Sequence, residues 1–323
     1  MRKLAPPAFL APTVALLAAL AYPWLFSTAF EQRLGALVLL SAITASAWNI
    51  VGGYAGQISV GHVVFFGCGA YGSLAAYTLW AWPPLAGLPL GVAAALLIAA
   101  LIGTPTLRLS GHYFSMATIA VVELARLLVT NSDTLGGAQG LSGPVVPRTV
   151  WDMSFLSALP YYYLFLAVPL TTLAITWRME RHRMGFYLRA IKGSERAARS
   201  LGADAPRYKL YAYLLSAAFT AVGGGLYATL FGFIDPESGL GILTSVKMLI
   251  MAALGGAGTL FGPLIGAALL VPLEEFSNSL LGAKGGGPTF VVYGAVIMLL
   301  ARFLPAGLLG LLKPKRPPVR KDA

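Results

Sequence analysis

Ten apolar stretches follow one another along this 323-residue chain, at about 8–29, 34–51, 62–80, 85–107, 112–130, 159–177, 209–233, 242–257, 260–281 and 288–304. A helix needs about 20 mostly apolar residues to cross the hydrocarbon core of a bilayer. Backbone groups in lipid must be satisfied within the spanning unit, and a helix achieves this alone. The expected fold class is therefore all-α, a polytopic helical membrane protein of about ten transmembrane helices forming one domain over 1–323. Composition agrees, with 57% apolar and 11% charged residues, where a soluble domain carries roughly 25% charged. A soluble enzyme, a disordered chain and a disulfide scaffold are excluded. The lone Cys68 has no intrachain partner and reveals nothing about compartment.

The net charge is +11, and its placement says more than its sum. Nine Lys/Arg lie between Arg178 and Lys209, against Glu180, Glu195 and Asp204. Lys313, Lys315, Arg316, Arg320 and Lys321 crowd the tail. Short cytoplasmic loops gather Lys and Arg. The 178–209 loop, the 305–323 tail and the N-terminus are thus expected in the cytoplasm, with 131–158 outside. Ten spans satisfy this with 18 of the 23 basic residues inside. The charge is an orientation signal beside membrane lipid, not a nucleic-acid footprint. Arg2 and Lys3 before the first apolar run resemble a signal sequence, with Ala19-Leu20-Ala21 like a cleavage site. An uncleaved first helix is the favoured reading. Trp151, Tyr161, Tyr162 and Tyr163 suit an interfacial aromatic belt.

Several chemistries are missing. No G-x-x-x-x-G-K-[ST] occurs, so the chain has no phosphate-cradling loop of its own. His62, His112 and His182 are far apart, and no metal site or cofactor is expected. No G-x-S-x-G is present. Five charges fall inside apolar stretches: Glu123, Arg126, Lys247, Glu274 and Glu275. Glu123 and Arg126 can pair three apart on one helix, and Lys247 can pair with Glu274 or Glu275. No span carries a row of carboxylates, which argues against ion-driven transport.

Two stretches are too glycine-rich for plain spans: Gly52–His62 and Gly255–Pro263. Tight helix packing and a broken helix beside a solute path both account for them. In the second reading Asn49, Gly53, Gly56, Gln57, Ser59 and His62 border a translocation path. Within the basic loop, Ser194 suits an N-cap and Glu195 the positive end of a helix dipole. Ala197, Ala198 and Leu201 share a face, Arg196 and Arg199 point elsewhere, and Gly202 suits the C-terminal cap. Pro206 blocks continuation. The spacing predicts a short helix offering small apolar residues to a partner; a helix resting on lipid headgroups is the alternative.

Arg196-Ala197-Ala198-Arg199-Ser200-Leu201-Gly202 resembles the E-A-A-x-x-x-G loop of bacterial ABC importer permeases, with Arg196 in the glutamate slot and Glu195 one place earlier. Val51-Gly-Gly-Tyr-Ala-Gly-Gln-Ile-Ser-Val-Gly-His62, Thr106-Leu-Arg-Leu-Ser-Gly-His-Tyr-Phe-Ser-Met-Ala-Thr118 and Leu188-Arg-Ala-Ile-Lys-Gly-Ser194 resemble segments of branched-chain amino acid permeases, in their order. Gly225-Leu-Tyr-Ala228, Pro236-Glu-Ser238 and Leu254-Gly-Gly-Ala-Gly-Thr-Leu-Phe-Gly-Pro263 continue the likeness, which is greatest to the M-type of the paired Liv permeases. The resemblance implies a permease subunit, not an enzyme, of an ATP-driven importer in the bacterial inner membrane. Its partners would be an H-type permease as heterodimer mate, two cytoplasmic ATPase subunits and a periplasmic amino-acid-binding protein. Ser194, Glu195, Arg196, Ala197, Ala198, Arg199, Leu201 and Gly202 would then couple to the ATPase. A urea or short-amide permease of the same architecture is the alternative, ahead of an ion-coupled secondary transporter.

Overall fold

The computed structural model describes residues 10–109, 111–143, 157–281 and 307–312, with Trp151, Phe155 and isolated positions between 294 and 302. The tenth apolar stretch and the basic residues of the tail fall largely outside them. The chain starts with helix α1 (Leu10–Leu25) and α2 (Ala29–Asn49), which runs into a π-helical turn at Ile50–Tyr54. Helices α3 (His62–Trp80), α4 (Pro84–Thr106) and α5 (His112–Thr130) follow. After the connection that follows α5 come α6 (Ala158–Arg181), α7 (Arg183–Gly193), α8 (Glu195–Ser200) and α9 (Ala205–Phe231). The short α10 (Pro236–Leu240), α11 (Ile242–Gly256) and α12 (Gly262–Leu281) complete the main body, with a further turn of helix at Leu308–Leu312.

The all-α, polytopic membrane class holds. Six described helices are long and apolar enough to cross a membrane: α2 with its π turn, α3, α4, α5, α6 and α9. Helix α11 has 15 residues, about 22 Å at 1.5 Å per residue, less than the roughly 30 Å core. Local chemistry sets the boundaries. Thr28 and Glu31 close a capping box that starts α2 five residues before the expected span. Asp204 accepts from the Arg207 N–H at the head of α9. Pro206, expected as a stop, is also a start: it lies in the first turn of α9, where a missing N–H costs nothing.

Helices α3 and α9 form the centre. They approach so closely that a Cβ on Gly69 would sit 1.8 Å from the Ala221 carbonyl oxygen, and one on Gly224 1.9 Å from that of Phe66. Ala95 and Ala99 of α4 pack against Tyr213, Ala217 and Ala221 of α9. Helix α2 is enclosed by α6, α9, α11 and α12. The outward faces are apolar instead: Leu97 and Leu101 of α4, and Tyr113, Met116 and Leu128 of α5, are exposed. That inversion suits lipid or a protein mate, not water.

The bundle has two distinct ends. The C-terminal end of α2, α7, α8 and the start of α9 gather at one. The end of α9, α10 and the start of α11 lie at the other. There the segment after α5 forms two 3₁₀ turns and a strand, β1 (Leu141–Ser142), antiparallel to β2 (Phe233–Ile234).

Candidate functional site

The loop between α6 and α9 is almost wholly helical. Sequence reasoning placed one helix there and missed α7, whose signal is the spacing of Gly185, Leu188 and Ile191 along its buried face. The Ser194 hydroxyl caps α8, accepting from the Ala197 N–H at 3.3 Å. Gly202 adopts the left-handed φ of +86° that ends the helix. Ala203 N–H closes the turn on the Ala198 carbonyl at 3.0 Å.

The expected apolar face of α8 is divided. Ala198 is 4% exposed and packs with Ile191, Ala203 and Ala205 of its own chain. Leu201 is 88% exposed, with Arg196, Ala197, Arg199, Ser200 and Gly202 also at the surface. The reason is the sharp turn at Gly202, which folds the chain back over Ala198. Two anchors fix this surface to the bundle. Glu195 pairs with Arg199 at 2.6 Å and with Lys209 of α9 at 2.5 Å, and Lys209 is 1% exposed. Tyr187 of α7 stacks on Tyr208 of α9 with ring centroids 4.5 Å apart.

The two glycine-rich stretches meet. Asn49, buried at the end of α2, donates from Nδ2 to the Thr259 carbonyl at 2.9 Å and accepts the Gly258 N–H on Oδ1 at 2.7 Å. Gly53 lies so near Gly258 that a Cβ would be 2.4 Å from its nitrogen. Lys192 of α7 lies across Gly56 and donates from Nζ to the Gly53 carbonyl at 2.6 Å. An ammonium there suits the negative end of α2. Sequence reasoning counted Lys192 only as charge; its partner is 139 residues away, and no local spacing reveals it.

From Ala55 to Gly61 the chain is irregular between two helices, and several of its backbone groups find partners within the protein. The Ser59 carbonyl accepts from Trp48 Nε1 at 2.7 Å, the Ile58 carbonyl from Ser115 at 2.6 Å, and Val60 N–H donates to Thr118 at 3.1 Å. Ser59 and His62 are fully buried and Gln57 is 9% exposed. His62 Nε2 and the Ser216 hydroxyl are 2.7 Å apart, and that hydroxyl donates to the Ala47 carbonyl at 2.6 Å. All six expected path residues thus gather at one helix break, with Asn49, Gly53, Gln57, Ser59 and His62 buried and Gly56 at the surface. Farther along the bundle, Arg126 pairs with Glu123 at 2.9 Å and Lys247 pairs with Glu274, the first of the two glutamates considered.

Comparison with known proteins bears on this architecture. The family model described as branched-chain amino acid transport system / permease component matches residues 33–301. The chain is 30% identical to the high-affinity branched-chain amino acid transport system permease protein LivM of Escherichia coli, covering 93% of this chain and 74% of LivM. It is 26% identical to BraD of Pseudomonas aeruginosa, a permease protein of the same description, covering 87% and 93%. The E. coli LivH permease is 32% identical over 152 residues, 47% of this chain and 46% of LivH. With the family model matched across most of its length, the chain belongs to the branched-chain amino acid transport system permease family.

Proposed function

We propose that the protein is the M-type permease subunit of an ATP-driven ABC importer in a bacterial inner membrane, carrying branched-chain amino acids. It has no phosphate-cradling loop, so ATP hydrolysis belongs to two separate cytoplasmic ATPase subunits. An H-type permease completes the membrane pair, and a periplasmic binding protein delivers the amino acid. The α7–α8 loop and both termini lie in the cytoplasm, the outer loop in the periplasm.

The observation that carries the coupling assignment is the exposed tip of α8 on a doubly anchored base. Leu201 offers an apolar knob, and Arg196 and Arg199 offer charge to an acidic rim. Force on this tip reaches α9 through Glu195–Lys209 and the end of α2 through Lys192–Gly53. The second contact leads to the helix break, where Asn49, Gly53, Gly56, Gln57, Ser59 and His62 form a pivot beside the path.

Leu201→Asp tests the assignment. It places a charge on the tip while leaving the internal packing of Ala198 untouched. The permease pair should still assemble, while co-purification of the ATPase subunits and leucine uptake in vesicles fall together. Full docking and uptake in the variant would make α8 a membrane-surface element only. The ligand of the cognate binding protein separates branched-chain amino acids from urea or amides.

A further inference from the structure

A cavity of about 350 Å³ opens at the end of the bundle opposite α7 and α8, between α2, α9, α11 and α12. That volume lies within the roughly 300–1,000 Å³ of small-molecule sites. Its walls are mainly apolar, including Leu40, Phe66, Met251 and Val271. Lys247, Glu274 and Glu275 line it too, with the Thr244 hydroxyl nearby. Lys247 and Glu274 are paired, with side chains only 28% and 23% exposed. Ionisable groups on the apolar helices of a membrane protein point to function by default. One ammonium and two carboxylates sit above an apolar floor, and that set matches one solute class closely.

We propose that this cavity binds a free zwitterionic amino acid with an aliphatic side chain, its carboxylate on Lys247 and its ammonium on the carboxylates of Glu274 and Glu275. The inference deepens the transport reading and rests on it for the solute's onward passage. A zwitterion adds no net charge, so it leaves the single net negative charge of Lys247, Glu274 and Glu275 as it was. Its carboxylate takes over part of the role Glu274 plays toward Lys247 in the empty site. A simple amine can reach only Glu275 unless it breaks the Lys247–Glu274 pair and strands the ammonium, and a simple acid meets two carboxylates. The unbranched thioether of Met251 adapts to differently branched side chains.

The test uses the assembled transporter in nanodiscs, with Cys68→Ala as background and Thr244→Cys as reporter for a water-soluble thiol reagent. At ten times its dissociation constant L-leucine fills about nine sites in ten and should slow labelling about tenfold, while L-aspartate and isoamylamine leave it unchanged. Lys247→Met should abolish the protection. Met251→Trp, which fills the floor and keeps the ion pair, should abolish it as well and guards against misfolding of the first variant. Protection without leucine uptake by the same complex would support the site and sink the transport reading. Uptake without protection would sink the site and leave the transport reading standing. Protection that follows the aminophospholipid content of the nanodisc instead of leucine would make the crevice a lipid site and overturn the proposal.

Discussion

Lys209 is 1% exposed, and its ammonium rests on the Glu195 carboxylate. Removing one member of a buried pair costs roughly 3–5 kcal/mol, and of an exposed pair about 0–1 kcal/mol. Glu195 is 31% exposed, so Lys209→Met should destabilise the folded transporter by about 1–2 kcal/mol. A denaturation midpoint in detergent reads this, and Lys209→Arg should recover most of it. Lys192 makes the contrasting case, an exposed residue with its ammonium on the Gly53 carbonyl. Lys192→Met should leave stability nearly unchanged and ATPase docking intact. It should lower leucine uptake per ATP hydrolysed, measured in vesicles with both rates recorded. Unaltered coupling would show that Lys192 merely caps α2. Neither lysine's partner was legible in the sequence. Glu195 and Lys209 are separated by a turn whose path depends on Gly202, and Gly53 is contributed by another part of the chain.

Among the elements, α3 and α9 depend on the absence of side chains where they cross. Gly224→Ala would force a methyl to within 1.9 Å of the Phe66 carbonyl carbon's oxygen, and overpacking of this kind costs about 1–3 kcal/mol or more. The variant should give less monodisperse protein on size exclusion and a lower unfolding midpoint. At the helix break, a cysteine replacing Gln57 in a Cys68→Ala background should resist water-soluble thiol reagents at rest, because the position is 9% exposed. Labelling during ATP turnover should then rise if the pivot opens; protection throughout would reduce it to a packing joint. The glycine clusters were legible as sites of close approach, and apolar runs marked the helices. The pairing of Gly52–His62 with Gly255–Pro263 was not, because Asn49 joins stretches some 210 residues apart. The α8 cap was legible from Ser194 and Gly202. The inward turn of Ala198 was not, since helical spacing gives a face but not what covers it.

For the molecule as a whole, charge asymmetry gives a topology that labelling can check. In a Cys68→Ala background, Ser194→Cys should react only from the cytoplasmic side and Asp133→Cys only from outside. Labelling of position 194 in intact cells would invert the arrangement. The isolated subunit should bind no ATP, and detectable nucleotide binding by the purified chain would contradict the division of labour with separate ATPase subunits. Apolar periodicity and the basic loop made the membrane class and its division into two ends readable in advance. The start of α2 was not, because a capping box, not hydropathy, decides where that helix begins, whereas α11 keeps the expected bounds to within one residue.

Helix α9 is tied at both extremities: Lys209 to Glu195 at one, and the adjoining β2 to β1 through the Leu141–Ile234 and Ser142–Phe233 pairs at the other. Its 27 residues form a rod about 40 Å long at 1.5 Å per residue. A rod so fastened would act as a two-way tappet, carrying a displacement at one end of the bundle to the other with its direction preserved. Thermodynamic reciprocity then requires that whatever tightens attachment at one extremity when the rod shifts must, by the same free energy, be tightened in return by the shift's cause at the other.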